Sequence, residues 1–222
     1  MRGTGFGPGF LGKMPAVGDF VRHGLPRAIA DPWDGLLTDV VDLGLRRHGR
    51  DWGAVLAAGA WWRFALDPGA CGGRAAAGLL VPSLDRVGRP YPLLVAASLP
   101  EGTDAALAPF TCDAWFTGVE ALTGGLMAGA CGYEGFAAGL ASLGRPVPGG
   151  GIAAALCRRA IEEHTGALPT PASLWWSLGN ERASSAFAAC AGLPPVDRLV
   201  SMLDGGWRAW AGGHDRPQGE HP

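Results

Sequence analysis

The sequence predicts an α/β protein: a three-layer α-β-α sandwich with helices on both faces of a central mixed sheet. Two observations predict this fold. Strand-like and helical segments are mixed throughout the 222 residues, as expected when helices pack over a sheet. Two strand-like segments contain continuous apolar runs, at residues 79–81 and 93–96. Such runs are typical of strands that are covered on both faces.

The first elements follow from local patterns. A short apolar run predicts a strand over residues 9–14, and a polar–apolar stretch begins at residue 18. The clearest helix is predicted to begin with Asp31 as its N-cap and Pro32 at N1, where a missing N–H costs nothing. Its apolar residues recur every three or four positions, and basic residues 46–48 suit its C-terminus before Gly49. A short second helix is predicted over residues 51–58.

Glycine and proline separate the remaining elements. A charged turn is predicted over residues 85–90, and a flexible loop over residues 145–151. Strands are predicted over residues 61–66, 78–84, 92–99, 174–177 and 183–189. Helices are predicted over residues 112–130, 133–143, 152–164 and 196–203.

Two adjacent tryptophans provide a check on the layer arrangement. Trp175 and Trp176 lie in a predicted strand, so their side chains should point to opposite faces of the sheet. If helices cover both faces, both indoles should be buried.

The amino-acid composition indicates a folded globular protein. Apolar residues make up 48% of the chain and charged residues 17%, which predicts a packed core and not a disordered chain. We expect one domain over residues 1–205 and a flexible tail over residues 206–222, because the end of the chain is polar and contains two prolines.

Charge and hydropathy indicate a soluble protein without nucleic-acid partners. The net charge is −2 and the isoelectric point is near 6.2, which argues against binding that depends on neutralising phosphates. No apolar stretch reaches the 18 residues of a spanning helix. The N-terminus also lacks the apolar run of a signal peptide, so we expect a cytoplasmic protein without membrane insertion.

The usual chemical motifs are incomplete. The five cysteines form no C-x-x-C pair and no metal spacing, so reduced, mostly buried thiols are expected. Residues 7–12 match G-x-G-x-x-G, and residues 7–13 nearly match a P-loop. Neither match follows a strand or opens a helix, as a phosphate-binding loop requires. We therefore predict no catalytic residue, no cofactor and no metal site.

Three short segments carry charges among apolar, glycine and proline residues. They read GFLGKMPAVGDFVR over residues 9–22, WRFAL over residues 62–66 and PSLDRVGRPYPL over residues 82–93. In this order and spacing they closely resemble the TagF family, also called ImpM, of type VI secretion-associated proteins. The resemblance extends over roughly residues 5–203, and the later segments at 173–176 and 192–194 are similar to the C-terminal part of the family.

The resemblance implies a function. Proteins similar to TagF act as post-translational repressors of type VI secretion in Gram-negative bacteria, and some bind the cytosolic scaffold that carries a forkhead-associated domain. By resemblance, this chain is expected to repress secretion through protein binding. The alternative is an enzyme, such as a phosphoester hydrolase that uses Asp19 or Asp85 with an arginine clamp and Ser83.

The charged residues of these segments, together with the nearby Asp34, form the candidate site. Charges inside apolar strands are rarely tolerated unless they are paired. One interpretation is that Arg63 and Arg86 pair with Asp19, Asp34 or Asp85 and fix the turns. In the other two, part of the set lines a groove for a partner, or the set is catalytic. The full candidate set is Lys13, Asp19, Arg22, Asp34, Arg63, Asp85, Arg86 and Arg89.

Different roles are expected within the charged turn. Asp85 should accept hydrogen bonds from turn N–H groups and hold an arginine such as Arg63. Arg86 and Arg89 should face solvent and contribute to partner binding, because arginine is favoured at interface hot spots.

Overall fold

The computed structural model describes residues 5–149, 153–180 and 184–209, and seven strands among them form one sheet. The sheet order is β2-β1-β5-β4-β3-β6-β7, and every neighbouring pair is antiparallel. The strands are β1 (Gly9–Gly12), β2 (Val21–His23), β3 (Trp62–Leu66), β4 (Ala76–Val81), β5 (Leu93–Ser98), β6 (Ala172–Ser177) and β7 (Ala186–Ala191).

The predicted mixed sheet is wrong in one respect, because no pair among the described strands is parallel. The reason lies in the connections between strands. β3, β4 and β5 follow one another without an intervening helix, and among the described residues β7 follows β6 in the same way. Consecutive strands joined without a helical crossover pair antiparallel, whereas parallel neighbours need a long crossover connection.

The predicted helices begin and end within three residues of the predicted positions, except at the start of the first, and a short helix over Ala108–Thr111 was not predicted. The helix predicted to begin at Asp31 begins at Arg27, with Pro26 as its N-cap, so Pro32 lies inside the helix. Ile29 and Ala30 are buried in the core, and their burial favours the extra first turn. The α-helices are α1 (Arg27–His48), α2 (Trp52–Ala57), α3 (Ala108–Thr111), α4 (Asp113–Met127), α5 (Tyr133–Leu143), α6 (Ala154–Thr165) and α7 (Val196–Asp204).

The helices cover both faces of the sheet, which confirms the three-layer sandwich. One apolar cluster joins α1, α2 and α7 to a face that includes Trp62, Phe64 and Trp175. The other joins α4, α5 and α6 to the opposite face, which includes Ala65 and Trp176. This division follows from the alternation of side chains along a strand. Trp175 is 0% exposed and Trp176 is 7% exposed, so both indoles are buried as predicted.

The described residues test other predictions only in part. All five cysteines are free and only Cys131 is not buried, in agreement with the expected thiols. The predicted tail begins with a 3₁₀ turn over Gly206–Ala209, and Trp207 is buried against Trp62. The rest of that tail lies outside the described residues. So do residues 150–152, where the predicted loop ends and the predicted helix begins, and residue 183, the first of a predicted strand. Within the described part of the chain, no helix has the length and apolar character needed to cross a membrane.

The buried indole of Trp175 gives a direct test of the layered core. We expect Trp175→Ala to lower the free energy of unfolding by about 3–5 kcal/mol, because the change removes a large, fully buried side chain. The matched control is Leu178→Ala, since Leu178 lies two residues beyond β6's Trp176 and is 66% exposed. The control should change stability by less than about 0.5 kcal/mol in urea unfolding. Equal losses in the two variants would contradict the burial of Trp175 beneath α1.

Candidate functional site

The sheet register brings the end of β1 to the turn before β5. The two strands are antiparallel, with Leu11 opposite Leu94, so the chain leaving β1 passes the residues that precede β5. Gly12 has a φ of 128°, and a Cβ at this position would collide with the carbonyl oxygen of Pro92. Glycine alone permits this conformation and this approach. Lys13, the next residue, therefore lies beside the charged turn.

The charged turn is closed around the Asp85 side chain. The Gly88 N–H donates to the Asp85 carbonyl at 2.9 Å, and the Asp85 N–H donates to the Arg89 carbonyl at 3.1 Å. Asp85 Oδ1 accepts hydrogen bonds from the N–H groups of Val87 at 3.0 Å and Arg89 at 2.9 Å. The prediction that Asp85 accepts turn N–H groups is confirmed.

Two cationic side chains contact the other carboxylate oxygen of Asp85, Oδ2. Arg89 Nε donates to Oδ2 at 2.6 Å, and Lys13 Nζ lies 3.1 Å from the same atom. The Asp85 side chain has no exposed surface, and its roughly four acceptor positions are all used. We call Lys13, Asp85 and Arg89 the Asp85 node. Arg63, the arginine expected here, is not part of it.

Hydrogen bonding controls the ionisation of the Asp85 carboxyl group. Burial alone would raise the pKa of the Asp85 carboxyl, because it disfavours the charged form. The donors from Arg89, Lys13 and Val87 outweigh this effect and hold the pKa well below its usual range. Asp85 therefore stays a carboxylate, and its charge offsets one of the two neighbouring cations.

The node joins the loop after β1 to the turn before β5. Arg89 Nη2 donates to the Gly18 carbonyl at 2.6 Å, and the Arg86 N–H donates to the Val17 carbonyl at 3.2 Å. Lys13 Nζ also lies 4.9 Å from the centre of the Phe20 ring, within cation–π range. The first and third sequence segments thus form one unit.

Tyr91 attaches this unit to α1. Its hydroxyl lies 3.3 Å from Thr38 Oγ1 and donates to the Asp34 carbonyl at 3.3 Å. Its ring meets Phe20 edge-on, with centroids 4.6 Å apart. Burial raises the pKa of Tyr91 to about 12; nearby Asp34 adds to the rise, and the Thr38 hydrogen bond opposes it. The phenol is therefore a neutral hydrogen-bond donor at neutral pH.

Arg63 has different partners from those predicted. Its Nε and Nη2 each donate to Glu120 at 2.7 Å, and its Nη1 donates to Asp113 at 2.7 Å. Strand alternation points Arg63 toward α4, away from the face that holds Trp62 and Phe64. Burial would lower the pKa of Arg63, but the two carboxylates more than compensate and raise it.

The helical spacing of the two acids is the signal that the sequence reasoning missed. Asp113 and Glu120 are seven residues apart on α4, which places both on one helix face. The predicted helix over residues 112–130 already contained this pattern. The expected partners of Arg63 were Asp19, Asp34 or Asp85, and none of these lies on α4.

The remaining members of the candidate set are exposed. Arg22 forms an ion pair with Asp31 at 2.8 Å, and Asp19 Oδ1 accepts a hydrogen bond from the Phe20 N–H at 2.8 Å. Arg86 is exposed, and its guanidinium approaches the backbone at Gly18. No ion pair or side-chain hydrogen bond involves Arg86 within the described residues. The expectation that Arg86 pairs with an acid is wrong. The predicted exposure of both Arg86 and Arg89 is confirmed, although Arg89 also pairs with Asp85.

Two residues considered for hydrolysis have other contacts. Asp85 has no unoccupied acceptor position, as described above. Ser83 is 4% exposed, and its hydroxyl donates weakly to the Leu84 carbonyl at 3.5 Å and to Met127 Sδ at 3.8 Å. The geometry therefore gives no support for hydrolase chemistry at these two residues.

Comparisons with known proteins agree with the segment pattern. A family model described as the TagF N-terminal domain, type VI secretion system-associated, matches residues 9–143. The crystal structure of PA0076 from Pseudomonas aeruginosa PAO1 is similar to this chain, with 31% sequence identity and a TM-score of 0.75. That match covers 97% of this chain and 99% of PA0076. A comparison with curated proteins returned no match.

The buried carboxylate of the node predicts a specific stability defect. Asp85→Asn removes the charge that Lys13 and Arg89 share, so we expect the melting temperature to fall by roughly 10 °C at pH 7. Arg86→Ala, one residue away and exposed, is the matched control and should shift it by less than about 2 °C. Equal losses would contradict the assignment of these two roles.

The same variant has a predicted pH dependence. The pKa of Asp85 is lowered in the folded protein, so its contribution to stability is present above the ordinary Asp pKa of about 3.9. It is lost as the pH falls from there toward the folded-state pKa. The difference in melting temperature between the native chain and Asp85→Asn should be constant from about pH 8 to pH 5 and shrink below about pH 4. A difference unchanged at about pH 3 would contradict this origin.

Proposed function

Because this chain belongs to the TagF family of type VI secretion system-associated proteins, we propose that it is a cytoplasmic repressor of type VI secretion. It acts by binding another protein of the apparatus. The partner we propose is the scaffold with a forkhead-associated domain, which the family resemblance implies. The role is one of binding and not of catalysis.

The observation that carries this proposal is the exposed tip of the charged turn. Arg86 is exposed and Val87 is 67% exposed, and both project from the backbone that the Asp85 node closes. Phe20, which is 54% exposed, lies on the loop joined to the same node. The turn and the adjoining loop thus expose a cation and two apolar side chains on backbone segments that hydrogen bonds hold together.

A preordered surface of this kind favours protein binding. Association costs conformational entropy when a loop must become fixed, and a loop held beforehand avoids part of that cost. Arginine and aromatic residues are also enriched among the side chains that dominate binding energy. We name Arg86, Val87 and Phe20 the turn surface and propose it as the docking face.

The two arginines that are predicted to contribute to partner binding, Arg86 and Arg89, differ in their side-chain hydrogen bonds. Arg89 has its Nε on Asp85 and its Nη2 on the Gly18 carbonyl, so its hydrogen bonds maintain the loops. Arg86 has no such commitments within the described residues and remains available to an acidic group of a partner. Arg89 is also exposed, but its hydrogen bonds are already used, so we propose that Arg86 carries the binding role and that Arg89 supports the loops of the turn surface.

The proposal predicts a binding defect without a folding defect. Arg86→Ala should weaken binding to the purified scaffold at least about tenfold, as expected for a hot-spot arginine, and should leave the melting temperature nearly unchanged. Arg46→Ala is the matched control, because Arg46 is an exposed arginine of α1. Calorimetry on the native chain and both variants gives the affinities. Native affinity in Arg86→Ala would place the docking face elsewhere.

The cellular consequence separates repression from mere association. Overproduction of the chain should lower effector levels in culture supernatants, and deletion should raise basal secretion. Overproduced Arg86→Ala should not repress, whereas Arg46→Ala should act as the native chain does. Unchanged secretion in both the overproducing and the deletion strains would refute the repressor function.

A further inference from the structure

The two edges of the sheet differ in charge and length. β2 is the edge beside β1; it has three residues, of which Arg22 and His23 are exposed. β7 is the opposite edge; it has six residues, Ala-Phe-Ala-Ala-Cys-Ala, without charge or proline. Soluble proteins usually protect an edge with charged residues, proline or a very short strand. β2 has two of these protections, and β7 has none.

The backbone of β7 is paired on one side only. β6 pairs with it over all six residues, from Ala172 opposite Ala191 to Ser177 opposite Ala186. Within the described residues, no other segment forms a backbone hydrogen bond with β7. Among the described residues the outer side of this extended backbone is therefore unpaired, and an added extended strand can pair with the whole row of its N–H and C=O groups.

One face of β7 is also open and apolar. Phe187 lies opposite Trp176 in the register and stacks on its ring, with centroids 6.4 Å apart. Phe187 is 40% exposed and Ala191 is exposed on the same face. The opposite face is covered near α7, where Cys190 is buried and its sulfur accepts a hydrogen bond from Arg198 at 3.3 Å. The edge thus continues into an apolar surface that is exposed at Phe187 and Ala191, while Ala189 between them packs partly against the core.

We propose that β7 pairs antiparallel with β7 of a second copy of this chain, forming a two-fold symmetric dimer with a continuous sheet. Charge selects this occupant. When a strand pairs with its own copy, any charged residue lies near the same charge on the other strand, and the two repel each other. The six residues of β7 carry no charge, so this repulsion does not arise. The β2 edge would bring two Arg22 side chains together. The inference is independent of the proposed function.

Symmetry restricts the register of this pairing. A two-fold axis that relates antiparallel strands is perpendicular to the sheet, so each residue faces one whose side chain is on the same side. An axis at Ala189 places Ala189 opposite its own copy and Phe187 opposite Ala191. Each exposed phenyl ring then meets a small exposed side chain, which allows the two strands to approach closely. We therefore assign the centre of the interface to Ala189.

A charge-exchange experiment tests both the dimer and its register. Light scattering on the purified full-length chain at about 100 µM should give the mass of a dimer. Ala189→Lys and Ala189→Asp should each weaken dimerisation at least about tenfold, because like charges meet at the axis. An equimolar mixture of the two variants should recover the dimer, because opposite charges then meet. Val147→Lys is the control, since Val147 is a 72% exposed loop residue, and it should remain dimeric.

The outcomes distinguish this interface from a folding defect. Recovery of the dimer in the mixture shows that both variants are folded and that position 189 meets its counterpart. A native chain that stays monomeric at about 100 µM overturns the proposal. A mixture that stays monomeric, although each variant melts at the native temperature, overturns it as well, and so does an equal loss of dimer in Val147→Lys.

Discussion

A single buried carboxylate organises the loops that lead into the centre of the sheet. A buried charge is costly unless its hydrogen-bonding positions are filled and its charge is paired. Asp85 meets both conditions only because donors arrive from two loops: Lys13 after β1, and Val87 and Arg89 within its own turn. The sheet makes this possible, since the pairing of β1 with β5 brings Lys13 to the turn.

This requirement separates structural charges from available ones. Arg89 and Lys13 are committed to Asp85, and Arg63 is committed to Asp113 and Glu120. These ion pairs hold loops and a helix against the sheet, although the side chains of Arg89 and Asp113 keep exposed surface. Arg86 differs because its backbone N–H holds the neighbouring loop, at 3.2 Å from the Val17 carbonyl, and its side chain remains exposed. The proposed binding role would use this combination, because a backbone that is already fixed lowers the entropy cost of association.

Local patterns predicted the elements well and the contacts between distant residues poorly. The burial of Trp175 and Trp176 on opposite faces follows from strand alternation alone. The start of α1 was misplaced because Asp31 and Pro32 match a helix start locally, whereas the burial of Ile29 and Ala30 depends on the core. The Lys13–Asp85 contact depends on sheet order, which no local pattern contains. The Asp85 turn was predictable because its backbone N–H donors, Val87 and Arg89, lie within four residues of Asp85.

The most direct test of the account is amide hydrogen exchange in Asp85→Asn, compared with the native chain. If the carboxylate holds both loops as one unit, the amides of Val87 and Arg89 should lose protection together with those of Arg86 and Val17. The last amide lies in the loop after β1, where its N–H donates to Met14. Faster exchange confined to Val87 and Arg89, with Val17 unchanged, would show that the loops are independent and would contradict the account.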